Sequence, residues 1–256
     1  MSSRLIRFSI VLAAIQTLKA GEGPVPFHPG EKLEYNLSWG VFNVGKAVLE
    51  IHPMKVFEDQ TCWHLTLNVR TNGFADAIYR VRSSFESYLS EDLSRTVWYR
   101  KVQREGGTNR DIEVRFDWEN STAQSIKYER GKTTFEEPIV LPGPTHDPLG
   151  ALFAFRQYRP TQGVDYPLRI TDGKKVIDLV INSNRSQEIK VDAGKFKVLR
   201  FLPDTKDLSG VFQKSADSAI QIWFEEKNSF APVQVQGKVS VGNFRAKLEN
   251  LRRRTI

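Results

Sequence analysis

From about residue 30 onward, apolar and polar residues alternate one by one through much of the chain. In the first such segment, Leu33, Tyr35, Leu37 and Trp39 alternate with four polar residues. Alternation with a period of two indicates a β-strand with one buried and one solvated face. Further segments of strand character follow, separated by short turns, at 47–51, 63–69, 79–89, 96–105, 110–118, 123–129, 164–171, 175–182, 186–191, 195–201, 220–225, 233–241 and 244–251.

One segment in the middle of the chain has helical character instead. Asp147 can cap the first backbone N–H groups of a helix, Pro148 suits the first helical position, and Pro160 ends it. The residues between the two prolines are mostly apolar, as in a helix that is buried on most sides. We therefore predict one central helix at about 148–158, with Asp147 as its structural cap.

These patterns predict an all-β fold, mainly antiparallel, with about a dozen strands. The strands should form a large curled sheet or barrel-like meander around the helix, because a flat open sheet of this size would leave costly unpaired edges. No internal repeat or low-complexity linker divides the chain. We expect a single β-rich domain over residues 21–256.

The first twenty residues differ from the rest. Arg4 and Arg7 precede an apolar run, 8–18, that is too short to span a bilayer comfortably, and Ala20 is a small residue suited to cleavage. We predict a signal peptide at 1–20, with an uncleaved membrane anchor as the alternative. No cysteine lies near the cut, so we expect a periplasmic or secreted protein that is not lipid-anchored and not transmembrane after cleavage.

The net charge and the absence of known motifs limit which functions the sequence supports. The formal net charge is +7, and it falls to +4 when the signal peptide takes away Arg4, Arg7 and Lys19. A mild charge with mixed signs gives little support to a nucleic-acid role, and we expect no nucleic acid among the partners. The four histidines lack metal-ligand spacing, and no nucleophile elbow, phosphate loop or dinucleotide fingerprint occurs. We therefore expect no catalytic residue, no metal and no cofactor.

Several short motifs occur in order along the chain. They are Phe27-x-x-Gly-Glu-x-Leu-x-Tyr with Trp39 and Gly45, Tyr79-Arg80-Val81-Arg82 with Phe85-Glu86-Ser87, Asp147-Pro148-Leu149-x-Ala151-x-x-x-x-Arg156, Gly194-x-Phe196, and Ile222-Trp223 with Pro232-Val233. Together they resemble a family of exported Gram-negative proteins, the domain of unknown function 3108 family. The resemblance covers roughly residues 27 to 251, and it implies a β-rich envelope protein without supplying an activity, cofactor or catalytic residue. One departure is Ser83-Ser84, which stands where the resemblance leads us to expect an acidic residue.

Arg156 is the main candidate for a functional site. It lies on the apolar helix, and a buried arginine is costly unless it is paired. Asp147 lies nine residues earlier, about two and a half turns away on roughly the opposite side of the helix, so it cannot be the partner. We predict that Arg156 is buried and pairs with strand residues, with Glu86 as the leading candidate and Arg80 and Arg82 on the same strand face. The pair could lock the helix to the sheet or bind the anionic group of a ligand.

Two aromatic residues, Tyr88 and Trp223, fall on predicted polar strand faces and could line a lipid or sugar groove. The sequence thus favours an envelope protein without enzymatic activity that binds or carries an apolar or glycan ligand, or scaffolds other envelope proteins. The alternative is a hydrolase of envelope polysaccharide or lipid. Such an enzyme would need two carboxylates roughly 5 to 10 Å apart, drawn from Asp76, Glu86 and Asp147.

The N-terminal segment gives the first testable prediction. We expect the protein recovered from the envelope fraction to begin near Gly21, because the charged start, apolar run and small residues have the order of a signal peptide. N-terminal sequencing measures this. An intact Met1 on protein recovered from the cytoplasm would contradict export.

Overall fold

The structure, a computed structural model, describes residues 24–203, 220–239 and 242–253. The predicted signal peptide and most of the polar loop before residue 220 lie outside these residues. The strands are β1 (Lys32–Trp39), β2 (Phe42–Phe57), β3 (Gln60–Thr71), β4 (Arg82–Ser90), β5 (Thr96–Glu105), β6 (Thr108–Asp117), β7 (Thr122–Glu129), β8 (Lys132–Phe135), β9 (Ile139–Val140), β10 (Asp165–Thr171), β11 (Val176–Val191), β12 (Gly194–Pro203), β13 (Gln221–Glu225), β14 (Pro232–Val239) and β15 (Gly242–Arg252); the helices are α1 (Gly73–Asp76) and α2 (Pro148–Gln157).

All the described strands belong to one antiparallel sheet, which confirms the predicted fold class. Its order is β10-β11-β12-β13-β14-β15-β1-β2-β3-β4-β5-β6-β7-β8, with β9 paired to β7. The order begins at β10 and ends at β8, so the sheet curls without closing into a barrel. Its fifteen strands exceed the predicted dozen, mainly because β8 and β9 are short pieces that show no clear alternation.

One pair of predicted strands is a single strand in the structure. The segments 175–182 and 186–191 are continuous in β11, and its pairing with β12 shifts register between Ser183 and Ser186. A β-bulge of this kind inserts extra residues without ending the strand. The polar residues that looked like a turn therefore mark an irregularity inside β11.

Adjacent strands are antiparallel, so alternate connections lie at the same end of the sheet. We call the end with the β1–β2, β3–β4 and β5–β6 connections the upper end, and the opposite end the lower end. Helix α2 lies at the lower end. Asp147 near its start contacts Ser87 and Thr96 on β4 and β5, and Arg156 near its end contacts the β13–β14 connection.

The predicted helix and its cap are both confirmed. The Asp147 carboxylate accepts hydrogen bonds from the backbone N–H groups of Leu149 (2.8 Å) and Gly150 (3.0 Å). One side of α2, with Leu149 and Phe153, packs into the main core, to which strands β1 to β7 and β11 to β15 contribute. Other residues pack against β10 to β13: Ala151, Ala154 and Phe155. The helix is apolar on most sides because it lies between two parts of one curled sheet.

The segment before α2 joins the two parts of the sheet by linking the lower end of β5 to β10. The Thr145 carbonyl accepts a hydrogen bond from Thr96 N on β5 (3.0 Å). His146 pairs with β10 through its N–H to the Arg169 carbonyl (2.9 Å) and its carbonyl to Thr171 N–H (2.8 Å). These bonds connect strands that are far apart in the order of the sheet.

His146 gives the sheet a pH-dependent stability. Burial lowers the pKa of His146 from 6.5 to about 4, so the folded protein keeps the ring neutral where the unfolded chain protonates it. The unfolded state then binds more protons, and stability that is present above about pH 6.5 is lost as the pH falls towards 4. We expect the free energy of unfolding to drop by up to about 3 kcal/mol from this residue, measured by chemical denaturation between pH 7 and 4.

His146→Leu should flatten this part of the pH dependence, whereas His28→Leu, at an exposed position, should leave it unchanged. An equally steep loss in His146→Leu would show that other groups cause it.

Candidate functional site

Arg156 is fully buried, as predicted, but its partner is not Glu86. The Nη2 atom lies 2.7 Å from Oε1 of Glu31, whose side chain is 2% exposed. Arg156 also donates from Nε and Nη2 to the carbonyl of Ser229, at 3.2 and 3.0 Å. The predicted Arg156–Glu86 pair is therefore wrong, because the helix reaches the segment before β1 and not the outer face of β4.

The surroundings of this ion pair are closed and apolar. The guanidinium lies over the rings of Phe27 (4.6 Å) and Phe153 (5.2 Å), an arrangement that favours a cation. Burial lowers the pKa of Arg156, and the Glu31 carboxylate opposes that shift. The Tyr35 pKa is raised by burial beside the same pair. Buried on all sides, the pair ties α2 to the start of β1 and is unsuited to capture of an external anion.

Glu31 was missed because its partner is distant in the chain. It ends a short turn after Gly30, and its backbone carbonyl accepts from Ile51 N–H (2.9 Å). A signal was nevertheless present, since Phe27 and Glu31 both belong to the first motif of the family resemblance. The structure shows that this motif and the Arg156 motif meet in space.

Glu86 and Tyr88 belong to a different group on the outer face of the sheet. Oε1 of Glu86 lies 2.8 Å from Nε2 of His64, and this hydrogen bond lowers the pKa of Glu86. The rings of His52, His64 and Tyr88 stack at centroid distances of 4.5 and 4.8 Å, and Phe57 stacks on Tyr88 at 4.4 Å. We call these residues the outer aromatic stack. Both faces of the two middle rings, His64 and Tyr88, are covered by their neighbours in the stack.

The remaining predicted site residues do not join either group. Arg82 binds Asp76 through Nη2 and Oδ2 (2.6 Å), and this hydrogen bond lowers the pKa of Asp76. Arg80 is exposed at the upper end. Trp223 is buried in the core at 6% exposure and does not line an open groove.

The three candidate carboxylates are kept apart. Asp147 is fully buried and accepts hydrogen bonds from Ser87 Oγ (2.5 Å) and Thr96 Oγ1 (2.7 Å). Burial raises the pKa of Asp147, and these two bonds oppose the shift. Because Ser87 points inward, its neighbour Glu86 points outward, and Asp76 is held by Arg82. Glu86 and Asp147 therefore cannot form the pair that glycoside hydrolysis requires.

The concave face of β3 to β7 carries rows of side chains that change character from the lower to the upper end. Successive pairs in the register define each row. The lowest of these rows is buried, with at most 4% exposure, and consists of Leu65, Ser87, Tyr99, Val114 and Ser125. The turn between β10 and β11 rests on this row, since a Cβ on Gly173 would meet Val114 Cγ2 at 2.7 Å.

The next row towards the upper end faces the same interior but is only half-buried. It consists of Leu67, Phe85, Lys101, Ile112 and Lys127, and we call it the recess row. Three members are apolar and two are cationic. The three apolar residues pack against the core and stay partly accessible.

Lys101 is the distinctive residue of the recess row. Its Nζ lies 5.6 Å from the ring centroid of Phe85, and burial lowers the pKa of Lys101. Within the described part of the chain it makes no hydrogen bond or ion pair, whereas Lys127 pairs with Glu129 at 2.5 Å. The carboxylates of Glu105 and Asp172 act on its ammonium from a distance and oppose that shift of the pKa. A partly buried ammonium without a direct ion pair can attract an anion.

A polar network borders the recess row on its upper side. Ser83 Oγ donates to Glu105 Oε1 (2.8 Å), Gln103 Nε2 donates to Glu105 Oε2 (3.1 Å), and Arg110 Nε donates to Gln103 Oε1 (2.8 Å). Glu105 is thus held by neutral donors. The recess therefore has an apolar wall, an unpaired ammonium and a polar border.

The fold defines the class of barrel-like proteins: its antiparallel sheet curls without closing, and a helix covers one end. Within that class the chain belongs to the domain of unknown function 3108 family, described as a protein of unknown function, whose model matches residues 34–249. The resemblance seen in the sequence is thereby confirmed.

Solved structures support the same class. The chain is similar to a β-barrel-like protein of domain of unknown function DUF1849 from Brucella abortus, at 10% identity and a TM-score of 0.58, covering 90% of this chain and 99% of that chain. The chain is also similar, with a TM-score of 0.38, to a candidate lipoprotein from Parabacteroides distasonis, at 10% identity over 89% of this chain and 98% of that chain. A candidate exported protein with a YmcC-like fold from Bacteroides fragilis has a TM-score of 0.33, at 8% identity over 89% of this chain and 98% of that chain. At these identities the first likeness shows the fold alone. A search of curated proteins finds no match. Across the described residues, neither helix has the length and apolar character needed to cross a membrane.

The buried ion pair gives a stability prediction. Arg156→Met keeps much of the packing of the stem but leaves the Glu31 carboxylate buried without its cation, so we expect the free energy of unfolding to fall by on the order of 3 kcal/mol. Urea denaturation followed by tryptophan fluorescence measures this.

The double variant Arg156→Met, Glu31→Gln should recover part of the lost free energy of unfolding, because glutamine carries no buried charge that needs a cation. Arg159→Met, just beyond the helix, should change stability little. If Arg156→Met kept full stability and lost a co-purifying ligand, Arg156 would be a binding residue and not a structural tie.

Proposed function

We propose that this is an exported, non-enzymatic binding or carrier protein for an amphipathic ligand with an apolar chain and an anionic head. The observation that carries the proposal is the recess row, in which Leu67, Phe85 and Ile112 stay partly accessible beside the unpaired ammonium of Lys101. An apolar chain would cover the three apolar side chains, and its head group would supply the counter-ion. The processed chain, 21–256, would act as one domain.

The structure favours an apolar ligand over a glycan. Sugars bind protein aromatics by lying flat on an open ring face. In the outer aromatic stack, the faces of His64 and Tyr88 are already occupied by each other and by Phe57. Trp223 is buried, so neither predicted aromatic offers a free face to a sugar.

Ligand sites of this kind usually combine an apolar wall with a few polar groups that fix the orientation. Here the polar groups are Lys101 and the hydrogen-bonded border of Ser83, Gln103 and Glu105. Glu105 would repel an anion placed at the border itself. Asp172, on the turn that rests on the row below, also acts on Lys101. The head group is therefore expected at the Lys101 ammonium itself, between these two carboxylates.

The test measures binding of oleate, of the uncharged monooleoylglycerol and of maltose, together with mass spectrometry of co-purifying material. We expect oleate to bind, and maltose not to bind. Lys101→Met should weaken oleate binding by roughly tenfold, the scale of one partly exposed charge-assisted contact. It should leave monooleoylglycerol binding nearly unchanged.

Lys190→Met is the matched control, because Lys190 is exposed on β11 and should have no effect on either ligand. Equal loss of both ligands in Lys101→Met would indicate unfolding rather than a lost charge. Failure of oleate and monooleoylglycerol to bind the wild type would overturn the proposal.

A further inference from the structure

The upper end of the sheet exposes a set of large apolar side chains that no described residue covers. Val41 at the tip of the β1–β2 hairpin is 92% exposed, and the others are between 37% and 62% exposed. We call the set the apolar rim; it consists of Trp39, Val41, Phe42, Phe74, Ile78 and Tyr79. Contiguous exposed apolar surface of this kind marks an interaction site.

The rim is one surface although it comes from two connections. The rings of Phe42 and Phe74 lie 5.8 Å apart. The two connections are joined by the hydrogen bond from Asn72 N–H to the Val44 carbonyl (2.9 Å). The β5–β6 turn supports the second connection, since Gly106 N–H donates to the Arg80 carbonyl (2.8 Å).

Several cations lie beside the rim on β2 to β4 and the β3–β4 connection. On the outer face just below it, Lys46, Arg70 and Arg82 stand directly opposite one another on β2, β3 and β4. Lys46 and Arg82 have carboxylate partners, Glu249 and Asp76. Arg70 and the neighbouring Arg80 are exposed, and neither has a carboxylate within 4 Å among the described residues. The rim thus carries uncompensated positive charge at its base.

We infer that the apolar rim docks the protein onto the surface of an anionic lipid bilayer. Aromatic residues prefer the boundary between head groups and acyl chains, and arginines beside them meet anionic head groups. Phe42 lies four residues from Lys46 along β2, about 13 Å at the rise of a strand. That spacing lets the rim reach about 5–10 Å into the boundary while the cations stay at head-group level.

The inference does not depend on the recess. The rim lies on the hairpin tips, whereas Lys101 faces the interior of the sheet. If the protein bound vesicles but not oleate, the membrane-docking inference would stand and the carrier proposal would fail. If it bound oleate but not vesicles, the carrier proposal would stand and the docking inference would fail. The two proposals therefore fail separately.

The test is co-flotation with vesicles of phosphatidylcholine alone or mixed with phosphatidylglycerol. The N-terminal residue of each preparation is determined first, because an uncleaved apolar segment would bind vesicles by itself. We expect the wild type to float with the anionic vesicles and much less with the neutral ones. Val41→Asp should reduce binding by on the order of tenfold or more, because an inserted carboxylate is repelled and must be desolvated.

Two controls match the variants in chemistry and exposure. Val140→Asp changes a valine that is 72% exposed at the lower end, and it should not affect flotation. The double variant Arg70→Glu, Arg80→Glu should reduce binding to anionic vesicles by on the order of tenfold or more, because it replaces the two exposed cations with anions. Arg185→Glu, an exposed arginine on β11, should have little effect.

Three results would overturn the inference. The wild type could fail to float, Val140→Asp could weaken binding as much as Val41→Asp, or binding could be equal on neutral and anionic vesicles. A dimer in solution that Val41→Asp dissociates, without any vesicle binding, would identify the rim as a contact between two copies of the chain. Circular dichroism of each variant confirms that a loss of flotation is not a loss of fold.

Discussion

A curled sheet that does not close must cover its concave face with something other than itself, and α2 does so at the lower end. The helix can lie there because it is apolar on most sides. Its start is held by Asp147 through Ser87 and Thr96, and its end is held by Arg156 through Glu31. Both anchors are buried, so each hydrogen bond and ion pair is strengthened by the low dielectric and is costly to break.

The two ends of the sheet therefore have different properties. At the lower end, Asp147 and Arg156 are buried and paired, and α2 connects distant strands. Towards the upper end, the interior row at Lys101 stays half-buried and the hairpin tips are apolar and exposed. Because the lower end is well packed, the fold can tolerate exposed apolar side chains at the upper end, which do not contribute to stability. Binding residues are expected on such a rigid scaffold.

The strand pattern predicted faces better than it predicted partners. Alternation placed Glu86 and Tyr88 together and away from Ser87, and the structure confirms that division. Alternation could not show that Glu86 is hydrogen-bonded to His64, since that contact depends on which strand lies beside β4. The same limit explains the wrong partner for Arg156. It also explains Trp223, which falls on a predicted polar face and is nevertheless buried.

Features that arise from residues close together in the chain were predictable from local patterns. These are the strands, from their period of two, and the helix with its cap at Asp147, because hydrogen bonding and side-chain direction within an element repeat over a few residues. The folded structure was needed to show that the sheet stays open, that Arg156 meets Glu31 and that Lys101 has no direct ion pair among the described residues. Those facts depend on how far the sheet curls and which distant strands meet, and such contacts leave no mark in local periodicity.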